Sequence, residues 1–169
     1  MPLFKHGRFV EDPWLFLADG EPLPSEGMIV LSLARLTGVE APTLADRDGW
    51  LGVRLEPADP LEEVVPWLPR LALVALAFPS FTDGRPFSTA RLLRERHGFT
   101  GEIRAVGRIL VDQYPFLLRC GFDAFAVPRG PALRGWRERA RLGPVYPPDS
   151  LGQVRSIWQR RHPELVSAS

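Results

Sequence analysis

The sequence predicts an α/β fold with three layers, in which a mainly parallel sheet lies between helices, as in flavodoxin-like and Rossmann-like proteins. First, short apolar strand-like runs alternate with helical runs between residues 51 and 127. Second, the run 71–78 is apolar at every position, which is typical of a strand buried on both faces. Third, the links are short, so successive strands should be parallel neighbours. A partial β/α barrel is the alternative, because it produces the same alternation.

The bulk properties restrict the class of protein. A length of 169 residues suits one domain with its own core, and a net charge of +1 creates no global field for nucleic acid or an anionic membrane. Cys120 is the single cysteine, so an internal disulfide is excluded and a cysteine-based metal site is not expected. The longest apolar run is far too short to span a membrane. We therefore expect a cytoplasmic protein without nucleic-acid or membrane partners.

Changes in pattern divide the chain into an N-terminal arm (1–27), which is part of the single domain, an α/β domain (28–149) and a C-terminal helical tail (150–169). Within the arm, the pair His6-Gly7 predicts a small hairpin. The apolar residues 14–17 are expected to cover part of the core, and the Pro-rich run after them interrupts regular structure.

The first half of the α/β domain contains two predicted strands, 28–32 and 50–55, with a brief helix after the first. A further helix is expected after Asp59, which would cap it, with Pro60 at the first helical position. Its apolar residues recur at helical spacing from 61 to 68, but Pro66 should shorten or kink it.

The second half alternates strands and helices regularly. Ser88 is predicted to cap one helix, and Pro115 should kink the next helix or delay its start. The predicted strands are 71–78, 103–106 and 124–127, and the predicted helices are 89–97, 109–120, 133–142 and 151–162.

Polar side chains gather where the last three of these strands end. The carboxyl ends of parallel strands are the usual ligand-binding edge of such a sheet. Guanidinium groups bind oxyanions with two hydrogen bonds, so three arginines at this edge would suit a phosphate, sulfate or carboxylate. The residues of this predicted oxyanion rim are Asp83, Arg85, Ser88, Arg108, Asp112, Gln113 and Arg129.

Ordinary structural roles compete with a ligand site at this rim. Asp83-Gly84 is a common turn pair, and Arg85 could pair with Asp83 or Asp112. Asp112 and Gln113 could instead complement the dipole of the helix that they begin.

No catalytic motif accompanies the rim. The sequence contains no P-loop and no nucleophile elbow, and the glycine pair 98–101 precedes a strand where a dinucleotide fingerprint would follow one. The three histidines do not have metal-site spacing. Cys120 occupies an apolar helix face, where a buried, inert thiol is expected. The sequence thus indicates no cofactor and no metal, and it leaves enzymatic activity open.

Several motifs support a family resemblance. The run Phe81-Thr82-Asp83-Gly84-Arg85, the runs 88–94, 101–107 and 120–125, and the pair Asp112-Gln113 resemble an uncharacterised bacterial family classed as a domain of unknown function. The resemblance covers the middle and later part of the chain. Genes of that family often neighbour those for assimilatory sulfite reductase, and some members are labelled probable oxidoreductases in sulfite reduction. The resemblance implies a metabolic pathway, but it does not identify a reaction that the protein catalyses.

Three functional hypotheses follow. The first is an accessory protein in assimilatory sulfate and sulfite reduction, which acts through a protein partner. The second is a small oxyanion-binding enzyme or sensor, or an oxidoreductase-associated subunit, that uses the Arg85 and Arg108 rim. The third is an α/β scaffold that forms a homo-oligomer.

Overall fold

The computed structural model of the protein describes residues 1–38, 41–45, 47, 49–130 and 132–141. The strands are β1 (Leu3–Lys5), β2 (Arg8–Val10), β3 (Trp14–Phe16), β4 (Met28–Ser32), β5 (Leu51–Leu55), β6 (Leu71–Phe78), β7 (Glu102–Gly107) and β8 (Ala124–Ala126). The helices are α1 (Leu33–Thr37), α2 (Ala41–Ala45), α3 (Leu61–Val64), α4 (Arg85–Glu95), α5 (Tyr114–Arg119) and α6 (Ala132–Arg141). Short 3₁₀ turns at Val65–Trp67 and Val111–Gln113 extend α3 and precede α5.

The strands form one mainly parallel sheet in the order β2-β1-β8-β7-β6-β5-β4-β3. Strands β3 to β8 run parallel to one another, whereas β1 is antiparallel to both β2 and β8. From β5 to β8, a helix or helical turn separates each strand from the next strand of the sheet. The predicted alternation from residue 51 to 127 is therefore confirmed.

The sheet is curled into a half-barrel, and the described helices cover one of its faces. Buried residues of all six helices belong to one large core cluster, whereas the smaller cluster on the opposite face is built from strand residues. Phe16 of β3 lies over Arg104 of β7 although three strands separate them in the sheet, so the second face is concave. The α/β class is confirmed. The flavodoxin-like, three-layer arrangement that the sequence favoured is not confirmed, and the half-barrel is closer to the alternative, a partial β/α barrel.

The N-terminal arm contributes three strands to this sheet. The hairpin predicted at His6-Gly7 is confirmed, and both residues have positive φ angles, 51° and 73°, as tight two-residue hairpins require. Residues 14–16 form an edge strand paired with β4, where the sequence predicted only a covering segment.

Two predicted helix caps are wrong. Helix α4 begins at Arg85, so Ser88 lies inside it, and Gly84 occupies the cap position. Proline is well tolerated in the first turn, which allows α4 to begin just before Pro86. Asp59 does not cap α3, because its carboxylate instead accepts a hydrogen bond of 2.8 Å from the backbone N–H of Glu56.

Prolines determine where two other helices end or begin. Helix α3 gives way to a 3₁₀ turn at Pro66, and α5 starts late, at Tyr114 before Pro115, as the sequence predicted. Among the residues that the structure describes, no helix is long and apolar enough to cross a membrane. The predicted tail, 150–169, lies outside the described residues.

A buried arginine joins α4 to the last two strands. Arg94 donates to three backbone carbonyls, those of Phe99, Gly101 and Gly121, at 2.6 to 3.0 Å. It also forms an ion pair with Asp123, which accepts a further hydrogen bond from the N–H of Ile103. This network closes the helix-covered side of the sheet at the amino ends of β7 and β8.

Candidate functional site

The predicted oxyanion rim lies where β6, β7 and β8 end. Asp83 and Arg85 form an ion pair through two hydrogen bonds, Nε to Oδ1 at 3.0 Å and Nη2 to Oδ2 at 2.6 Å. The hydrogen bonds from Arg85 lower the pKa of the Asp83 carboxyl, and Asp83 raises the pKa of the guanidinium. Asp83 also accepts from the backbone N–H of Arg85 at the start of α4. Both groups thus already have partners.

Gln113 ties two loops of the rim together. Its side-chain amide donates to the carbonyl of Phe81 at 2.8 Å, and its Oε1 accepts from the N–H of Leu110 at 2.9 Å. Phe81 belongs to the loop after β6, whereas Leu110 belongs to the loop after β7. A bridging role in structure accounts for both polar ends of this side chain.

The other predicted rim residues are not joined to the ion pair of Asp83 and Arg85. Arg108, Asp112 and Arg129 are exposed at the ends of β7 and β8, and Ser88 is exposed on α4. Within the described part of the chain, the side chains of Arg108 and Arg129 form no ion pair with Asp83 or with another carboxylate, whereas Arg85 pairs with Asp83. The structure therefore brings together Asp83 and Arg85, and it leaves the other two guanidinium groups facing solvent.

Three exposed apolar side chains lie beside these charges, and the sequence did not draw attention to them. Phe81, Leu110 and Phe116 are 53%, 47% and 51% exposed, and we refer to them as the apolar rim. Phe81 and Leu110 flank Gln113, and the Phe116 ring packs on Phe87 with centroids 4.8 Å apart. A large apolar residue in a loop, rather than within an alternating strand, is the sequence signal that could have identified Phe81.

A second feature is an open cleft of about 460 Å³ at the carboxyl ends of β3, β4 and β5. Such an edge is where α/β sheets usually bind ligands. Its wall is mostly apolar, and its polar side chains are Asp19, Ser32, Arg54, Glu56 and Asp59. The apolar lining residues are Phe16, Leu17, Ala18, Val30, Leu31, Leu33 and Ala34.

The polar groups of the cleft are held by local hydrogen bonds. Ser32 donates to Asp19 at 2.7 Å, and Arg54 pairs with Glu56 at 2.7 Å. Asp59 accepts from the N–H of Glu56, which folds the loop after β5 against the cleft. The cleft therefore presents three carboxylates and one guanidinium.

A buried charge network lies next to the cleft on the concave face. Arg104 is fully buried, and it donates to Asp12 through Nη1 and to Glu102 through Nε, both at 2.8 Å. Lys5 binds the other oxygen of Glu102 at 2.6 Å. The Nη2 atom of Arg104 is buried and has no hydrogen-bond partner among the described residues. The ring of Phe16, which also lines the cleft, lies 5.7 Å from the guanidinium carbon.

Sequence reasoning missed this network, although β7 carries a signal. Ile103 and Ala105 face the main core, so the alternation of a strand turns Glu102 and Arg104 to the other face. Two opposite charges two residues apart in a strand that is otherwise apolar indicate a polar site on that face.

The described residues contain no group of three or more His, Cys, Asp or Glu side chains that could hold a metal ion. Cys120 is buried, as predicted, and burial raises the pKa of its thiol, which keeps it protonated at neutral pH.

Comparison with known proteins identifies the family. The model of a family described as "Bacterial protein of unknown function (DUF934)" matches residues 52–153, which is more than half of the chain. No curated protein matches it. The resemblance to an uncharacterised bacterial family is confirmed, while the link with sulfite reduction stays a prediction. The chain belongs to the DUF934 family of bacterial proteins.

Proposed function

We propose that this protein is a cytoplasmic accessory protein of assimilatory sulfite reduction and that it acts by docking a protein partner on the apolar rim. The observation that carries the docking proposal is the exposure of Phe81 and Leu110, which the Gln113 amide joins, and of Phe116, which packs on Phe87. The pathway rests on the gene context that the family resemblance implies.

The composition of the rim fits a protein interface. Aromatic side chains that expose about half of their surface bury much apolar area when a partner covers them, and such residues dominate binding energy. The exposed guanidinium groups of Arg108 and Arg129, at the ends of the neighbouring strands, form a polar edge. A partner surface with an apolar centre and acidic residues around it would match both features.

Direct binding to purified assimilatory sulfite reductase from the same bacterium tests the proposal. Phe81→Ser is expected to weaken binding by at least about tenfold, because an interface anchor contributes about 1.4 kcal/mol or more. The matched control is Leu15→Ser, because Leu15 is also 53% exposed but lies on β3 at the far edge of the sheet. Equal losses for the two variants, or no binding by the unaltered protein, would contradict the proposal. Self-association reduced by Phe81→Ser would instead indicate a homo-oligomer.

A second candidate function is the binding of an oxyanion at the same edge of the sheet. The observation in its favour is that Arg108 and Arg129 are exposed and have no ion pair with any described residue. Sulfate should raise the melting temperature relative to chloride at equal ionic strength, and Arg108→Gln should abolish the rise. Arg85→Gln should have a smaller effect, because Asp83 already neutralises Arg85. Identical melting curves in sulfate and chloride would rule out this candidate.

A further inference from the structure

We infer that the outer edge of β2 binds an acidic segment of a protein partner, which adds to the sheet as an extended strand. The surface consists of Arg8 and Phe9 on β2 and of Arg137 and Arg141 on α6, and we refer to it as the basic edge. The apolar rim follows β6 and β7, whereas the basic edge lies at the end of the sheet, beyond β8 and β1. The inference therefore does not depend on the docking function proposed above.

The backbone of β2 is open on its outer side. Among the described residues, β2 is the last strand of the sheet and pairs with β1 alone. The N–H of Val127 donates to the carbonyl of Pro2 at 2.9 Å, so the even-numbered residues of β1 face β8 and Lys5 faces β2. Because Lys5 lies opposite Arg8 in the hairpin, the next residue, Phe9, turns its N–H and its carbonyl away from β1. Both groups can pair with an added strand.

Guanidinium groups lie on both faces of this edge. Lys5 binds Glu102 on the concave face, and Arg8, its partner across the hairpin, points to the same face. Phe9 points to the helix-covered face, where the guanidinium carbon of Arg137 lies 5.2 Å from the centroid of its ring. Successive side chains of an added strand alternate between the two faces. Acidic residues at neighbouring positions of that strand would therefore meet Arg8 on one face and Arg137 on the other.

The arginines of the basic edge are available to a partner. Arg8, Arg137 and Arg141 are exposed, and no ion pair joins them to a carboxylate of the described residues. The end of α6 lies beside the hairpin turn, since a Cβ added at Gly7 would be 3.8 Å from that of Ala140, and this brings Arg141 to the edge as well. Carboxylates would form charge-assisted hydrogen bonds with these guanidinium groups.

Charge and backbone together favour an acidic peptide over other occupants. A second copy of the chain would bring the arginines of two identical edges together, and like charges across an edge oppose association. A nucleic acid would meet the arginines, but it cannot pair with the backbone of Phe9 as a strand does, and the net charge of +1 provides no long-range attraction. An acidic strand matches both the open backbone and the unpaired guanidinium groups.

Fluorescence anisotropy at low ionic strength with three labelled peptides tests the inference. The first has the sequence Asp-Glu-Val-Glu-Asp, the second is its uncharged counterpart Asn-Gln-Val-Gln-Asn, and the third is the acidic peptide with every backbone nitrogen methylated. The acidic peptide should bind at least about tenfold more tightly than either of the others, because one lacks the charges and the other cannot pair as a strand. Added salt should weaken its binding, since exposed charges are screened.

Two variants locate the binding surface. Arg8→Met and Arg137→Met should each weaken binding of the acidic peptide by at least about threefold, and by at least about tenfold together. The matched control is Arg96→Met, because Arg96 is also exposed without an ion pair to a described residue but lies at the end of α4. The inference is wrong if the acidic peptide does not bind at about 1 mM protein, if the methylated peptide binds equally well, if Arg96→Met weakens binding as much as the edge variants do, or if single-stranded DNA of the same charge binds more tightly.

Discussion

The two faces of the curled sheet carry side chains that differ in size and polarity. The convex face is covered by helices, and large side chains such as Phe78, Phe125 and Trp136 fill the space between them. The concave face carries small side chains, among them Ala75, Ala77 and Ala126, together with charged residues. Large apolar residues seal one face, whereas small ones leave room for polar groups and a cleft on the other.

The two buried arginines also differ, in how completely their hydrogen-bond donors are satisfied. Arg94 lies on the sealed side, and its donors reach three carbonyls and a carboxylate. Arg104 lies on the concave side with one buried nitrogen that has no partner among the described residues. A buried polar group without a partner is costly, so such groups often mark functional sites. We therefore expect Arg94 to contribute more to stability than Arg104.

The largest effect is expected at Arg94. Arg94→Met removes the hydrogen bonds that Arg94 donates and leaves Asp123 buried without its cation, which should lower the free energy of unfolding by about 3–5 kcal/mol. Urea denaturation measures the change. Arg91→Met on the exposed side of α4 serves as the control and should change the stability little. A loss at position 94 no larger than that of the control would show that the network does not stabilise the sealed side.

An intermediate effect is expected from Tyr114, which packs against Phe4, Phe125 and Trp136 on the same side. Burial raises the pKa of its hydroxyl from 10.0 to about 12. The folded protein therefore disfavours the phenolate, and stability is complete below pH 10 and falls as the pH rises towards 12. The loss should reach about 2–3 kcal/mol, which corresponds to two pKa units.

Denaturation curves of Tyr114→Phe provide the comparison for this effect. The variant cannot ionise at this position, so its stability should fall less between pH 10 and pH 12 than that of the unaltered protein. Parallel curves for the two proteins across this window would show that Tyr114 does not cause the loss.

The smallest effect is expected at Arg104, in contrast to Arg94. In Arg104→Met, Glu102 keeps its ion pair with Lys5, Asp12 is partly exposed to water, and the unsatisfied nitrogen disappears. The free energy of unfolding should fall by only about 1–2 kcal/mol. A loss as large as that of Arg94→Met would remove the distinction between the two faces.

Local patterns predicted much of the sheet. The strand 71–78 has the predicted bounds, and the alternation from 51 to 127 places its strands side by side. The helix starts were less predictable, because Asp59 and Ser88 both have good capping chemistry but Pro60 and Gly84 occupy the cap positions. Capping depends on where the chain turns, and tertiary packing settles that turn.

The contacts of the candidate sites could also be predicted only where the residues are close in sequence. Asp83 and Arg85 are two residues apart, and the sequence predicted their pairing as one possibility, which the structure confirms. The network of Arg104 joins residues far apart in the chain, since Asp12 lies 92 positions before it. No local pattern connects such residues, because their meeting depends on the curl of the whole sheet.

The sequence by itself determined the α/β class, the order of the parallel strands from β5 to β8 and the family, because hydrophobic periodicity and short motifs are local properties. Only the tertiary structure decided which face the helices cover, where the cleft lies and how Arg104 meets Asp12. Those features depend on the curl that brings β3 over β7, and that curl arises from the packing of distant side chains.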